Sequence, residues 1–195
     1  MIIGITGGTG CGKTTALEAI GALGGLVLDL DAVYHELLAT DKSLTDAIEA
    51  RFPGTVENGV LQRKKLGAIV FADKKELAAL GKITGGAIRK EVMRRLETAP
   101  ELVAIDAIGL IEGGYDKLCD FTVAVTAPET VRVARLMARD GISEDYARSR
   151  IAAQKPQAEF SARCDYTLVN DGTREAFYEK CLASFREMAI IKAEK

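Results

Sequence analysis

The chain is 195 residues long, 48% hydrophobic and 28% charged, with a formal net charge of −2; this is the composition of one globular domain able to bury a core. That balance argues against a general binder of nucleic acid or membrane surfaces, both of which favour basic proteins. No apolar run approaches the roughly 18 residues of a membrane span, the first residues lack the regions of a signal peptide, and the four scattered cysteines (Cys11, Cys119, Cys164, Cys181) lack metal-ligand spacing. A reduced, cytoplasmic setting is expected.

Apolar runs alternate with helical patterns along the chain. Residues 2–6 (IIGIT), 26–30 (LVLDL), 102–106 (LVAID), 121–125 (FTVAV) and 166–169 (YTLV) read as short buried strands. Between them apolar residues recur three and four apart, as at Ile88, Val92 and Leu96, and Pro128-Glu129 is a good helix start after the fourth strand. Such alternation implies parallel pairing and right-handed crossovers. One α/β domain is expected, with the helical stretch 41–99 as its main insertion.

Straight after the first strand comes GGTGCGKT, residues 7–14. It fits G-x-x-x-x-G-K-[ST], with Gly7, Gly12, Lys13 and Thr14 at the fixed positions, between a predicted strand and a predicted helix. In that context the backbone N–H groups of Gly8, Thr9, Gly10, Cys11, Gly12, Lys13, Thr14 and Thr15 can turn around phosphate oxygens, backed by the positive end of the helix. Lys13 would reach the β- and γ-phosphates, and Thr14 would offer its hydroxyl to Mg²⁺. A plain glycine-rich turn is the bland alternative. Cys11 lies inside the loop; beside a helix N-terminus and a lysine its thiol is either activated or merely a small residue in a tolerant place.

The reaction must be chosen elsewhere. A GTPase needs a later N-K-x-D, and the fourth strand instead runs into TAPET (126–130). A small-molecule kinase needs an acceptor pocket and a lid that excludes water. Asp29 and Asp31 lie two apart at the end of the second strand, where parallel sheets bind ligands. A carboxylate there can take a proton from an attacking hydroxyl, hold Mg²⁺ through water, or cap the helix that follows; position alone leaves these open for Asp31. His35, the single histidine, is a candidate substrate contact or a structural residue.

Nearly the whole chain resembles the dephospho-coenzyme A kinase family. The likeness runs through GITGGTGCGKTTAL, VLDLDAVYHELL, NGVLQRKKLGAIVFAD (58–73), AIRKEVMRRL (87–96), LIEGGYDKLCD (110–120), RLMARDGISEDYARSRIAAQ (135–154) and ARCDYTLVNDGT (162–173). The resemblance implies a three-layer α/β/α P-loop fold and ATP-dependent phosphorylation of the ribose 3′-hydroxyl of dephospho-coenzyme A, the last step of coenzyme A synthesis. It implies Asp31 as base or metal-orienting group with Thr14, Asp29, His35, Arg89 and Glu112 on the acceptor side, and 41–99 as the substrate-binding region. Asp106 looks like a second, lower-ranked carboxylate at a strand end. The stretch 132–163 looks like the lid; of its seven basic residues, Arg139 and Arg148 match the expected phosphate contacts, Arg139 as a catalytic group.

Two stretches depart from the family pattern. TGGAIR (84–89) stands where members usually carry His-Pro ahead of Ile-Arg, and IGLIE (108–112) where P-L-L-x-E is usual. Both lie on the expected acceptor side, so a related kinase with another acceptor, or a catalytically silent nucleotide-binding regulator, are the alternatives. A monomer or weak oligomer without membrane or nucleic-acid partners is expected.

Overall fold

In the computed structural model, which describes residues 1–194, the chain runs from β1 (Ile2–Thr6) through α1 (Lys13–Ala22) to β2 (Leu26–Asp29). There follow α2 (Leu30–Thr40), α3 (Lys42–Arg51), β3 (Val56–Glu57), β4 (Val60–Leu61), α4 (Arg63–Val70) and α5 (Lys74–Leu96). The last stretch holds β5 (Val103–Asp106), β6 (Phe121–Thr126), α6 (Glu129–Asp140), α7 (Glu144–Ala152), α8 (Gln157–Arg163), β7 (Tyr166–Val169) and α9 (Arg174–Ala193). Two compact units result, one made of Met1–Leu28 with the chain from Ala99 onward, the other of Asp29–Thr98.

The first unit is built on a five-stranded sheet in the order β2-β5-β1-β6-β7. β1 pairs in parallel with β5 on one side and β6 on the other, and β6 with β7. All five strands fall within one residue of their expected ends. They were legible because β1 is covered on both faces, which makes a buried parallel strand a continuous apolar run. On one face Ile3, Ile5, Val123, Val125 and Leu168 meet Ala16, Ala19 and Ile20 of α1 and Phe177, Phe185 and Met188 of α9. On the other, a Cβ at Gly4 would lie 2.7 Å from Leu110 and 2.8 Å from Cys119, so the loop after β5 sits directly on the strand. Because β1 has partners on both sides, the loop leaving its C-terminal end lies at the switch point where open α/β sheets bind ligands.

The second unit packs α2 to α5 around Val33, Leu37, Leu44, Ile48, Phe52, Leu66 and Val70. Its β3–β4 hairpin is absent from the expected elements, although Asn58 and Gly59 both adopt positive φ (51° and 78°) and Asn-Gly is the preferred dipeptide of such turns. The boundary at β2 also needs correction. The strand ends at Asp29, and Leu30 already opens α2. Asp29 is the cap of that helix, accepting from the amides of Asp31 at 2.9 Å and Ala32 at 3.1 Å. Asp31 is therefore neither a strand residue sharing a face with Asp29 nor the cap; it sits in the first helical turn.

The TGG departure falls inside α5, a 23-residue helix. A Cβ at Gly86 would meet nothing within 4 Å, so its cost is that of helix propensity alone. Gly86→Ala is expected to stabilise the fold by about 0.5–1 kcal/mol, read as a higher urea midpoint at unchanged slope.

Candidate active site: a phosphate loop held by its carbonyls

Between β1 and α1 the backbone takes turns open only to glycine. At Gly7 (φ 148°) a Cβ would lie 2.3 Å from the Val125 carbonyl oxygen, and at Gly12 (φ 99°) 2.1 Å from Asn170 Nδ2. Gly12 is also the N-cap of α1, with no side-chain cap and no acidic residue in the first turn. The first amides of α1 are thus left to an incoming anion.

The outer edge of this loop is bound by side chains. Arg132 Nε donates to the Thr9 carbonyl at 2.8 Å. Arg135 donates to the Gly10 and Cys11 carbonyls, each at 3.4 Å, and to Asn170 Oδ1 at 2.9 Å. Asn170 Nδ2 completes the bracket by donating to the Cys11 carbonyl at 2.9 Å. In a planar trans peptide the N–H points opposite to its C=O. Holding these carbonyls on one side therefore turns the following amides, Gly10 and Gly12 among them, to the other. Gln154 Oε1 accepts from the Thr9 amide at 2.7 Å and lies 3.4 Å from Arg132.

A cavity of about 890 Å³ opens over the loop. Gly8, Thr9, Gly10, Gly12, Lys13, Thr14 and Thr15 line it together with Arg135, Arg139, Arg150, Gln154, Asn170 and Arg174. Five of its lining residues are cationic and none is a carboxylate, which makes the space suited to a polyanion. Lys13 Nζ donates to the Gly7 carbonyl at 3.1 Å. Asp106, at the end of β5, is in register with Ile5 of β1, just ahead of the loop.

Other expected residues are placed differently. The Cys11 side chain is 1% exposed and belongs to the core; burial pushes its thiol up, against the pull of Lys13. Burial fits the reading of Cys11 as a small residue in a tolerant place. Arg148 does not line the cavity; it pairs with Glu129 at 2.8 Å and Glu144 at 2.7 Å. Glu112 is engaged by Lys155 at 2.6 Å and by Arg163, beside a small cleft that includes Thr6 and Phe160. In the second unit, His35 Nδ1 lies 3.0 Å from an Arg63 nitrogen and its ring is tilted against Tyr34. Arg89 is exposed on α5, and Asp31 is exposed at the start of α2.

The dephospho-CoA kinase family model matches residues 1–175. Dephospho-CoA kinase from Geobacillus kaustophilus is 34% identical over 193 residues, covering 96% of each chain. That from Latilactobacillus sakei is 35% identical over 176 residues, 88% of this chain and 87% of the relative. The crystal structure of TT1252 from Thermus thermophilus superposes with a TM-score of 0.80 at 33% identity, over 96% of this chain and 97% of that one. This chain belongs to the dephospho-CoA kinase family. It is a P-loop kinase, and the family accounts for the ATP-type loop. Among the described residues no helix is long and apolar enough to cross a membrane.

The donor set near the loop fits the metal that accompanies nucleotides in P-loop kinases. Thr14 presents an exposed hydroxyl on the first turn of α1, and one carboxylate oxygen of Asp106 is buried. No group of three or more His, Cys, Asp or Glu residues able to hold a metal occurs among the described residues. Hard oxygen donors in small number suit Mg²⁺, which keeps its waters and shares phosphate oxygens rather than entering a protein cage.

The bracket residues Arg135, Gln154 and Asn170 were not singled out by the sequence. Their roles rest on hydrogen bonds spanning 124, 145 and 159 residues, and no local pattern announces such contacts. Asn170→Ala removes a donor to the buried Cys11 carbonyl and the anchor of Arg135. It is expected to cost about 1–3 kcal/mol of stability and to weaken nucleotide binding, both measurable by thermal unfolding with and without ATP. Glu112 has its carboxyl drawn down from 4.5 to about 2, first by Lys155 and further by Arg163. Its contribution is thus complete above about pH 4.5 and is lost as pH falls towards 2. Since the group is 44% exposed, that contribution is less than about 1 kcal/mol. The difference in Tm between the parent and Glu112→Gln should stay constant from pH 7 to 5 and shrink only below.

Proposed function

We propose that the chain transfers the γ-phosphoryl group of ATP to the 3′-hydroxyl of dephospho-coenzyme A, giving coenzyme A and ADP. The observation that carries this is the cavity: a glycine loop with its carbonyls tied back, five cationic residues and no carboxylate, in a chain of this family. The acceptor oxygen attacks the γ-phosphorus, the bond to the ADP oxygen breaks, and the hydroxyl proton passes to Asp31. Family membership supports this acceptor, and Asp31 is suited to act as the base because Asp29 supplies the helix cap.

Charge spreads over the transferring group in such reactions, so preorganised cations lower the barrier without rearranging. Lys13, Arg135 and Arg139, which line the cavity, would supply that positive charge. Thr14, Asp31 and Asp106 are the residues that would hold Mg²⁺, which would supply positive charge to the phosphates when bound. The α6–α8 segment acts as the lid, and the Asp29–Thr98 unit, with His35 and Arg89, as the acceptor side.

ATP turnover should require dephospho-coenzyme A and add one phosphate to it by mass. Asp31→Asn should cut kcat by about 10²-fold or more while Tm and the binding of ATP without Mg²⁺ hold. Turnover of the variant equal to that of the parent would remove Asp31 from the chemistry, and a folded, ATP-binding parent that leaves dephospho-coenzyme A unchanged would overturn the acceptor.

A further inference from the structure

The last residue of α6 is an aspartate, Asp140, followed by Gly141 in the left-handed conformation. A carboxylate at a helix C-terminus opposes the helix dipole, so the helix itself gains nothing from it there. Its two oxygens are fully engaged. Arg139 makes a fork with it, Nε to Oδ1 at 2.6 Å and a terminal nitrogen to Oδ2 at 2.9 Å, and Arg150 of α7 donates to the same Oδ2 at 2.6 Å. Adjacent residues on a helix do not face each other, so the fork means that Asp140 turns the Arg139 guanidinium back along the helix end.

Both arginines line the nucleotide cavity, and Asp140 does not. Two guanidinium groups on one wall repel, and the carboxylate between them offsets that repulsion. Each keeps N–H donors to spare, since a guanidinium has five and these contacts take two from Arg139 and one from Arg150. Packing of α6 on α7 is already provided by Val133, Leu136, Ala147 and Ile151, so Asp140 is not needed to join the helices. Arg150, in the last turn of α7, also precedes Gln154 by four residues, and Gln154 accepts from the Thr9 amide. Thr9 lies two residues from the Gly7 carbonyl that Lys13 holds. That is the end of the loop where the β- and γ-phosphates belong.

We propose that Asp140 is a positioning residue that holds Arg139 and Arg150 together as a preformed clamp for the terminal phosphate of a nucleoside triphosphate. The inference rests on the reading of the cavity as an ATP site but not on the identity of the acceptor. The test is calorimetric binding of ADP and of a non-hydrolysable ATP analogue to the parent, Asp140→Asn and Asp140→Glu, with Tm and kcat measured alongside. In Asp140→Asn the ratio of analogue to ADP affinity should fall about tenfold, the scale of one charge-assisted contact. Its Tm should change little, since the partly exposed ion pairs it loses and the unfavourable dipole contact it relieves are both small, and Asp140→Glu should recover part of the ratio. A ratio unchanged or raised in Asp140→Asn overturns the clamp, as does a parent that does not distinguish the analogue from ADP. A lowered ratio in a protein that leaves dephospho-coenzyme A unphosphorylated keeps the clamp and discards the acceptor.

Discussion

The site depends on one arrangement: the carbonyls of Thr9, Gly10 and Cys11 are held outward by Arg132, Arg135 and Asn170. A peptide plane carries its donor and acceptor on opposite sides, so fixing the carbonyl fixes where the N–H aims. The loop glycines make the conformation possible, but they do not choose it, because glycine is the residue with the least preference of its own. The choice is made by side chains from α6 and from the end of β7. Arg132 is 3% exposed, and burying a guanidinium is tolerable only where its hydrogen bonds are met. The Thr9 carbonyl and Gln154 meet them.

Charge is sorted around this core. The charged residues that line the cavity are all cationic. Outside the cavity lining, carboxylates hold particular basic residues: Asp140 on Arg139 and Arg150, Glu129 and Glu144 on Arg148, and Glu112 on Lys155 and Arg163. Several of these pairs are exposed, and such pairs add little to stability. The basic residues of the 132–163 segment divide into Arg135, Arg139 and Arg150 on the cavity wall and Arg148, Lys155 and Arg163 off it, with carboxylate partners in both sets.

This division marks how far the sequence could be read. The strands and the phosphate loop were legible because each is a local pattern: an apolar run, or glycines at fixed spacing before a lysine. The arginines of the 132–163 segment were not separable, since a helix face rich in alternating charge looks the same whether it faces solvent or a ligand. Arg139 and Arg148 were favoured together, and the structure puts Arg139 on the cavity wall and Arg148 among carboxylates, while Arg135 carries the contacts to the loop. At the end of β2 the helix begins two residues earlier than a cap at Asp31 would require, so the cap is Asp29. Element boundaries are the least legible feature of a sequence, and here the boundary decides which of two carboxylates serves the helix.

The hydrogen bond from Asn170 to Cys11 joins residues 159 apart, and both parallel neighbours of β1 arrive only after residue 100. The glycine loop precedes β7 by about 150 residues in the chain, and its final shape waits for that strand. Early in synthesis it is a flexible string with nothing to aim its amides, and long-range closures of this kind are slow steps of folding. Nucleotide affinity in this chain is therefore a property of the finished sheet. A binding signal from ATP reports that the distant end of the molecule has docked, and intermediates lacking β7 would be blind to the nucleotide.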